Sequence, residues 1–371
     1  MKKLEVKDAG TVPFSIGREG VGMSSVIALL ITFVLMVSVS YGQNKAKIRA
    51  AKLYENGKYK KSLRLYDSLI MVNDKDTDSY YGRGLVNLAM SNYDESVKDF
   101  KKVLKLSPKD ADAYLNKGIA EYKNGDNSEA MKDINQSIAI RPDFSDAYNY
   151  KGNVEFANGD TARAMQDYNR SVGFDSTNMD GFFNRAYLEI EERRYETAFN
   201  DLTMVLSLDN KDAPAFFYRG LTLDEMKKPR DAALDYNRAI EIDPQYAEAY
   251  LNRGLDKYQL SFYDGAKGDF TEVIKRDSDN AVAYYCRALS EDHLKDFKGA
   301  INDYTTALQY QDDYAEAFYG RGNSYLSLGD KVSACNDFYS AYANGYKPAQ
   351  ANIDNYCKGT KAKKKNGWGI N

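Results

Sequence analysis

Residues 111–144 read ADAYLNKGIAEYKNGDNSEAMKDINQSIAIRPDF, and residues 145–178 read SDAYNYKGNVEFANGDTARAMQDYNRSVGFDSTN. Laid over each other, the two stretches keep a tyrosine at their fourth place, a glycine at the eighth and an alanine at the twentieth. The same frame extends in both directions. A small residue recurs at Gly84, Gly118, Gly152, Ala186, Gly220, Gly254, Ala288 and Gly322, always 34 residues apart. An aromatic stands four residues before each, from Tyr80 and Tyr114 to Tyr284 and Phe318. Ser96 and then alanines from Ala130 to Ala334 follow twelve residues after it, and large residues such as Phe100, Ile134, Tyr236 and Phe338 follow after sixteen. Eight copies in step, with no insertion or deletion, set the fold.

The columns make sense as packing. Places 4 and 8 lie one helical turn apart on one face, and so do places 20 and 24. Small residues let two helices approach, and the aromatic fills the space beside them. Asn124-Gly125-Asp126, Asn158-Gly159-Asp160 and Leu328-Gly329-Asp330 mark turns between helices. Pro108, Pro142 and Pro244 end the second helix before the next copy begins. One such pair cannot bury its apolar face, whereas a stack makes a continuous core, and this use accounts for most of the 31 tyrosines.

This spacing resembles the tetratricopeptide repeat (TPR), a 34-residue helix–turn–helix unit. The resemblance covers nine units, 43–76, 77–110, 111–144, 145–178, 179–212, 213–246, 247–280, 281–314 and 315–348, the first of them degenerate. It implies an all-α, right-handed superhelical solenoid of antiparallel helix pairs. Residues 349–357 read as a short C-terminal capping helix, because the last unit needs a cover for its open apolar end.

Two further columns depart from the usual repeat. The residue before the small one is always basic, from Arg49 and Arg83 through Lys117 and Lys151 to Arg321. Fifteen residues after the small one stands an aspartate in each unit from Asp99 to Asp337. In an antiparallel hairpin the two are equally far from the turn, so the sequence predicts an ion pair inside each unit.

In TPR arrays the first helices line a concave groove through places 2, 5, 6, 9, 12 and 13. Carried over, this makes Tyr81, Asn116, Tyr122, Asn149, Tyr150, Asn153, Phe183, Asn184, Phe217, Tyr218, Asn252, Tyr258, Tyr285 and Tyr319 the expected partner-binding residues. Phe156 stands at place 12 as well, and acids such as Asp146, Asp180, Glu248 and Glu316 occupy place 2. Aromatics, asparagines and acidic edges suit an unidentified protein or extended peptide. The Lys/Arg clamp with which chaperone-binding TPR domains hold a C-terminal carboxylate has no counterpart here. The expectation is a non-enzymatic interaction scaffold, and the alternative is an assembly adaptor using its convex face or basic tail.

Composition narrows the classes. A single histidine, His293, and three cysteines make metal sites and nucleophilic triads improbable. Leader and repeats leave too little chain for a catalytic domain, so catalytic, metal and cofactor residues are all expected to be none. The net charge of −3 argues against nucleic acid. Residues 1–42 hold an uncharged stretch with a twelve-residue apolar run, Val26 to Val37. That length suits a signal peptide and is short for a membrane span, which needs about 20 residues; an uncleaved anchor is the alternative. Residues 358–371, with five lysines and Trp368, read as a flexible tail. Leader and tail are the two segments that could bring the protein near a membrane. The expected location is the periplasm or cell envelope. In that oxidising setting Cys335, on the last second helix, and Cys357, at the end of the cap, are expected to form a disulfide, leaving Cys286 as the odd thiol.

Overall fold

The structure, a computed structural model, describes residues 42–358. The expected leader cleavage or anchor and nearly all of the basic tail lie outside the described residues. The described chain falls into two compact units that divide at Arg141 and Pro142. Among the described residues every regular element is a helix.

The first unit holds α1 (residues 42–55), α2 (Tyr59–Val72), α3 (Thr77–Ala89), α4 (Tyr93–Leu106), α5 (Ala111–Lys123) and α6 (Asn127–Ile140). The second holds α7 (Ser145–Ala157), α8 (Thr161–Phe174), α9 (Met179–Glu191), α10 (Tyr195–Leu208), α11 (Ala213–Glu225), α12 (Pro229–Ile242), α13 (Ala247–Gln259), α14 (Tyr263–Arg276), α15 (Ala281–His293), α16 (Phe297–Tyr310), α17 (Ala315–Ser327), α18 (Lys331–Ala343) and α19 (Ala349–Tyr356). Within each unit consecutive helices pack pairwise, and pairs stack on pairs, as a TPR solenoid does.

The repeat columns are the core. A Cβ added to Gly152 would come within 2.6 Å of the Tyr168 ring, and one on Gly220 within 2.6 Å of Tyr236. Place 8 is small because place 24 of the same hairpin lies on it. The alanines at place 20, from Ala130 to Ala334, are fully buried. Where serine stands there instead, its hydroxyl donates to the place-8 carbonyl across the hairpin: Ser62 to Ala50 at 2.7 Å and Ser96 to Gly84 at 2.9 Å. Each inter-helix turn closes on a residue with positive φ. Glycine fills it at Gly57, Gly125, Gly159 and Gly329, but Ser91, Arg193, Lys227, Ser261 and Lys295 take it elsewhere. Asp126, Asp160, Asp296 and Asp330 then cap the second helix by accepting a backbone N–H from its first turn.

The two charge columns meet in every unit from 77 onward. Arg83, Arg185, Arg219, Arg253, Arg287 and Arg321 each grip the aspartate 16 residues later with Nε and Nη2; for Arg219 and Asp235 the distances are 2.7 and 2.8 Å. Lys117 and Lys151 pair with Asp133 and Asp167. The structure adds a third member that the columns did not announce. The free Nη1 of each arginine points back 16 residues to place 25 of the preceding repeat. It donates to Asp67, Asn169, Thr203, Asn237, Thr271 or Thr305, at 2.7 Å for Asp67 and 3.3 Å for Thr203. The arginine therefore closes its own hairpin and ties it to its neighbour.

At the end of the stack α19 folds back on α18. Ile353 and Cys357 bury themselves with Ala334, Cys335 and Phe338, and Cys335 and Cys357 are joined in a disulfide with their Cα atoms 5.5 Å apart. Cys286 remains a buried free thiol.

Candidate functional site

The first helices of successive pairs touch one another directly: α3 with α5 in the first unit, and α7 with α9, α9 with α11, α13 with α15 and α15 with α17 in the second. The expected site residues lie on these helices and divide into two groups.

One group is spent on packing. In four units place 5 turns inward onto place 24 of its own hairpin: Tyr81 meets Phe100 at 5.5 Å, Phe217 meets Tyr236 at 5.8 Å, Tyr285 meets Tyr304 at 5.9 Å and Tyr319 meets Phe338 at 5.8 Å between ring centroids. Phe217 is buried, and so is Asn149. The asparagines are largely committed as well. Asn149 accepts from Asn184 at 2.9 Å, and Asn153 accepts from the Tyr168 hydroxyl at 2.8 Å. Asn116 donates to the Tyr81 hydroxyl at 2.9 Å, and Asn252 donates to the Glu248 carbonyl at 2.8 Å. A buried polar side chain must be paired, and the partners come from the same repeat for Asn153 and Asn252 and from a neighbouring repeat for Asn149 and Asn116.

The other group stays on the surface. Tyr122, Tyr150, Phe183, Tyr218 and Tyr258 are half-buried. Tyr218 meets Phe183 edge to face at 5.4 Å, and it also meets Tyr187 at 5.7 Å, which in turn lies 6.0 Å from Phe156. Phe156, Tyr187 and Tyr218 stand at places 12, 9 and 6 of three successive units, so a single diagonal of rings crosses α7, α9 and α11. Tyr187 was absent from the expected site. Its signal was the constant step of 31 residues, one repeat less one helical turn, from 156 to 187 to 218. Farther along, the exposed His293 ring stacks on Tyr263 at 4.2 Å, and its Nε2 lies 2.9 Å from the Tyr258 hydroxyl.

Acids at this face have unusual surroundings. The Tyr236 hydroxyl donates to Asp224 at 2.6 Å, and both Asp224 and the buried Asp256 are held above the usual carboxylate range, chiefly by burial. The neighbouring Asp224 adds to the shift of Asp256, whose carboxyl rises to about 8. Burial pushes the Cys286 thiol up to about 12, which disfavours its thiolate form. Among the described residues no cluster of His, Cys, Asp and Glu is arranged to hold a metal ion, and no helix is long and apolar enough to cross a membrane.

Models of the tetratricopeptide repeat match residues 81–143 and 251–304, and a further TPR model matches 294–329. Residues 81–143 and 251–329 are thus tetratricopeptide repeats, and the helix pairs between them keep the same 34-residue frame. A Pseudomonas aeruginosa pilF structure is similar over 59% of the chain and 96% of its own length, with 18% identity and a TM-score of 0.50. YrrB, described as a TPR protein with an unusual peptide-binding site, is similar over 51% of the chain and 97% of its own length, with 19% identity and a TM-score of 0.47. A tetratricopeptide repeat protein from Parabacteroides merdae is similar over 67% of the chain and 97% of its own length, at 20% identity and a TM-score of 0.47. None of the curated proteins matches the chain.

Proposed function

We propose that the protein is an exported scaffold that binds an extended segment of another protein along the first-helix face of its TPR units. Tetratricopeptide repeats are generally non-catalytic interaction scaffolds, which supports the scaffold role in general terms. The observation that carries the finer reading is the Phe156–Tyr187–Tyr218 diagonal. Phe156 at its end is 37% exposed, so the diagonal is open to a partner there. Aromatic rings held in a preordered array offer contact area at small entropic cost. Export to the periplasm or envelope is supported by the apolar run Val26 to Val37 and by the Cys335–Cys357 disulfide, a bond that persists in oxidising compartments.

Affinity capture from membranes and periplasm, comparing wild type with Tyr218→Ala plus Tyr150→Ala, tests this. Partners lost from the variant support the groove. Partners retained by it favour the adaptor reading, in which the convex face or tail binds.

A further inference from the structure

Across residues 145–348 the six first-helix columns of the groove hold eight carboxylates and not one lysine or arginine. Inside the hairpins the chain pairs its place-23 aspartates, as the ladder of Arg–Asp pairs shows. Here it does not. Asp224 accepts from the Tyr236 hydroxyl, Glu225 from the Tyr195 hydroxyl at 3.2 Å, and Asp292 from the hydroxyls of Tyr304 and Ser324 at 2.9 and 2.5 Å, all neutral donors. Asp180, Glu191, Glu248 and Glu316 have no ion-pair partner among the described residues.

Two of these unpaired acids flank the aromatic diagonal. Glu191 ends α9 and Glu248 lies in the first turn of α13, on either side of α11, which carries Tyr218. Burial, then Tyr187, Glu248 and Glu191, hold the Tyr218 hydroxyl above its usual pKa, which places both carboxylates within electrostatic reach of that ring. Rings with negative faces beside carboxylates lacking a counter-ion form a receptor for a cation. An anionic or purely apolar occupant would leave those charges facing it uncompensated.

We propose that the diagonal Phe156–Tyr187–Tyr218 seats a lysine or arginine side chain of the partner segment, with Glu191 and Glu248 supplying its counter-charge. This rests on the groove reading above, and the same surface then rejects acidic segments by repulsion.

The test is selection of a phage-displayed library of random dodecapeptides on the full chain. It is run in parallel on Tyr187→Ala plus Tyr218→Ala and on Glu191→Lys plus Glu248→Lys. Glu191 and Glu248 are exposed, so the charge-swapped protein should melt like the wild type. Peptides enriched in lysine or arginine should emerge from the wild type, and synthetic copies with the selected lysine replaced by norleucine should bind about tenfold more weakly. The charge swap should turn the enrichment toward aspartate and glutamate. Peptides that depend on Tyr187 and Tyr218 but show no basic preference would overturn the inference and leave the groove intact. Peptides indifferent to the tyrosine variant, or a selection that yields none, would overturn both.

Discussion

Repeat 111–144 and repeat 213–246 occupy the same 34-residue frame and solve one problem in two ways. Each buries an aspartate at place 23, Asp133 in the first and Asp235 in the second. Arg219 satisfies both oxygens of Asp235 and still has Nη1 to reach Thr203 in the preceding repeat. Lys117 carries one compact charge, and it divides that charge between Asp133 and Glu121. Glu121 is left with a buried Oε2 that has no protein partner, and its carboxyl is raised to about 7 by burial and by Asp133. The residue 16 before Lys117 explains the choice. It is Lys101, where the arginine repeats have an acceptor. An arginine at 117 would aim its spare N–H groups at a cation, so the guanidinium fork fits only above a place 25 that can accept.

The sharpest way to break this comparison is to remove the two aspartates. Asp133→Ala leaves Lys117 buried with Glu121 alone, and Asp235→Ala leaves Arg219 with only Thr203. Stripping one member of a buried pair costs about 3 kcal/mol, because the other charge stays desolvated. Both variants should unfold at clearly lower urea concentration. Adding Arg219→Ala to Asp235→Ala should recover part of the loss, and adding Lys117→Ala to Asp133→Ala should recover less, since Glu121 then loses its cation too. Additive losses in the first cycle would show that Arg219 and Asp235 act independently.

The pairs were legible in the sequence because base and acid each fill a column with a 34-residue period and match one for one. The fold was legible for the same reason, down to glycine at place 8. The tie to the preceding repeat was not. Where an arginine follows, place 25 is aspartate, asparagine or threonine, which share only the ability to accept a hydrogen bond, and no residue-type column reveals that. The groove was half legible. Places 5 and 6 are adjacent on the helix, and composition could not tell that Phe217 turns into the hairpin while Tyr218 faces out. That division depends on the ring at place 24, which is Tyr236 here. Tyr187 was missed because its column holds aromatic, aliphatic and polar residues alike, and only the 31-residue diagonal singles it out.

Acid–base titration separates the two repeats at place 11, at intermediate magnitude. Glu121 binds its proton more tightly in the folded chain than in the unfolded one, because its folded pKa, about 7, lies above the ordinary carboxylate value. The stability this contributes is fully present below the unfolded pKa and is lost as pH rises through about 7. Between pH 5 and pH 8 the loss is on the order of 2 kcal/mol, falling on the repeat that contains Lys117. Glu121→Gln should remove it, so that urea midpoints followed across that range decline less steeply than in the wild type. Repeat 213–246 has leucine, Leu223, at the matching place. Leu223→Gln should leave the slope of the wild type unchanged, whatever it does to the midpoint.

The smallest effect sharpens the comparison at the turns. Repeat 111–144 closes its turn with Gly125 at φ +87°, whereas repeat 213–246 closes the equivalent turn with Lys227 at φ +62°. The left-handed region costs a residue with a Cβ about 1 kcal/mol, and glycine enters it without that cost. Glycine also has more freedom to lose on folding, which takes back part of the gain. Lys227→Gly should therefore stabilise the protein by about 0.5 kcal/mol, and Gly125→Ala should destabilise it by about 1 kcal/mol. A Cβ at Gly125 would meet nothing within 4 Å, so the second change isolates backbone strain from packing. The Lys227 backbone N–H donates to the Asp224 carbonyl at 2.8 Å, and glycine keeps that bond. Thermal melts of the two single variants and their combination decide the point. If Lys227→Gly lowers the midpoint, the lysine side chain is contributing a surface contact, and the two turns differ by more than their backbone.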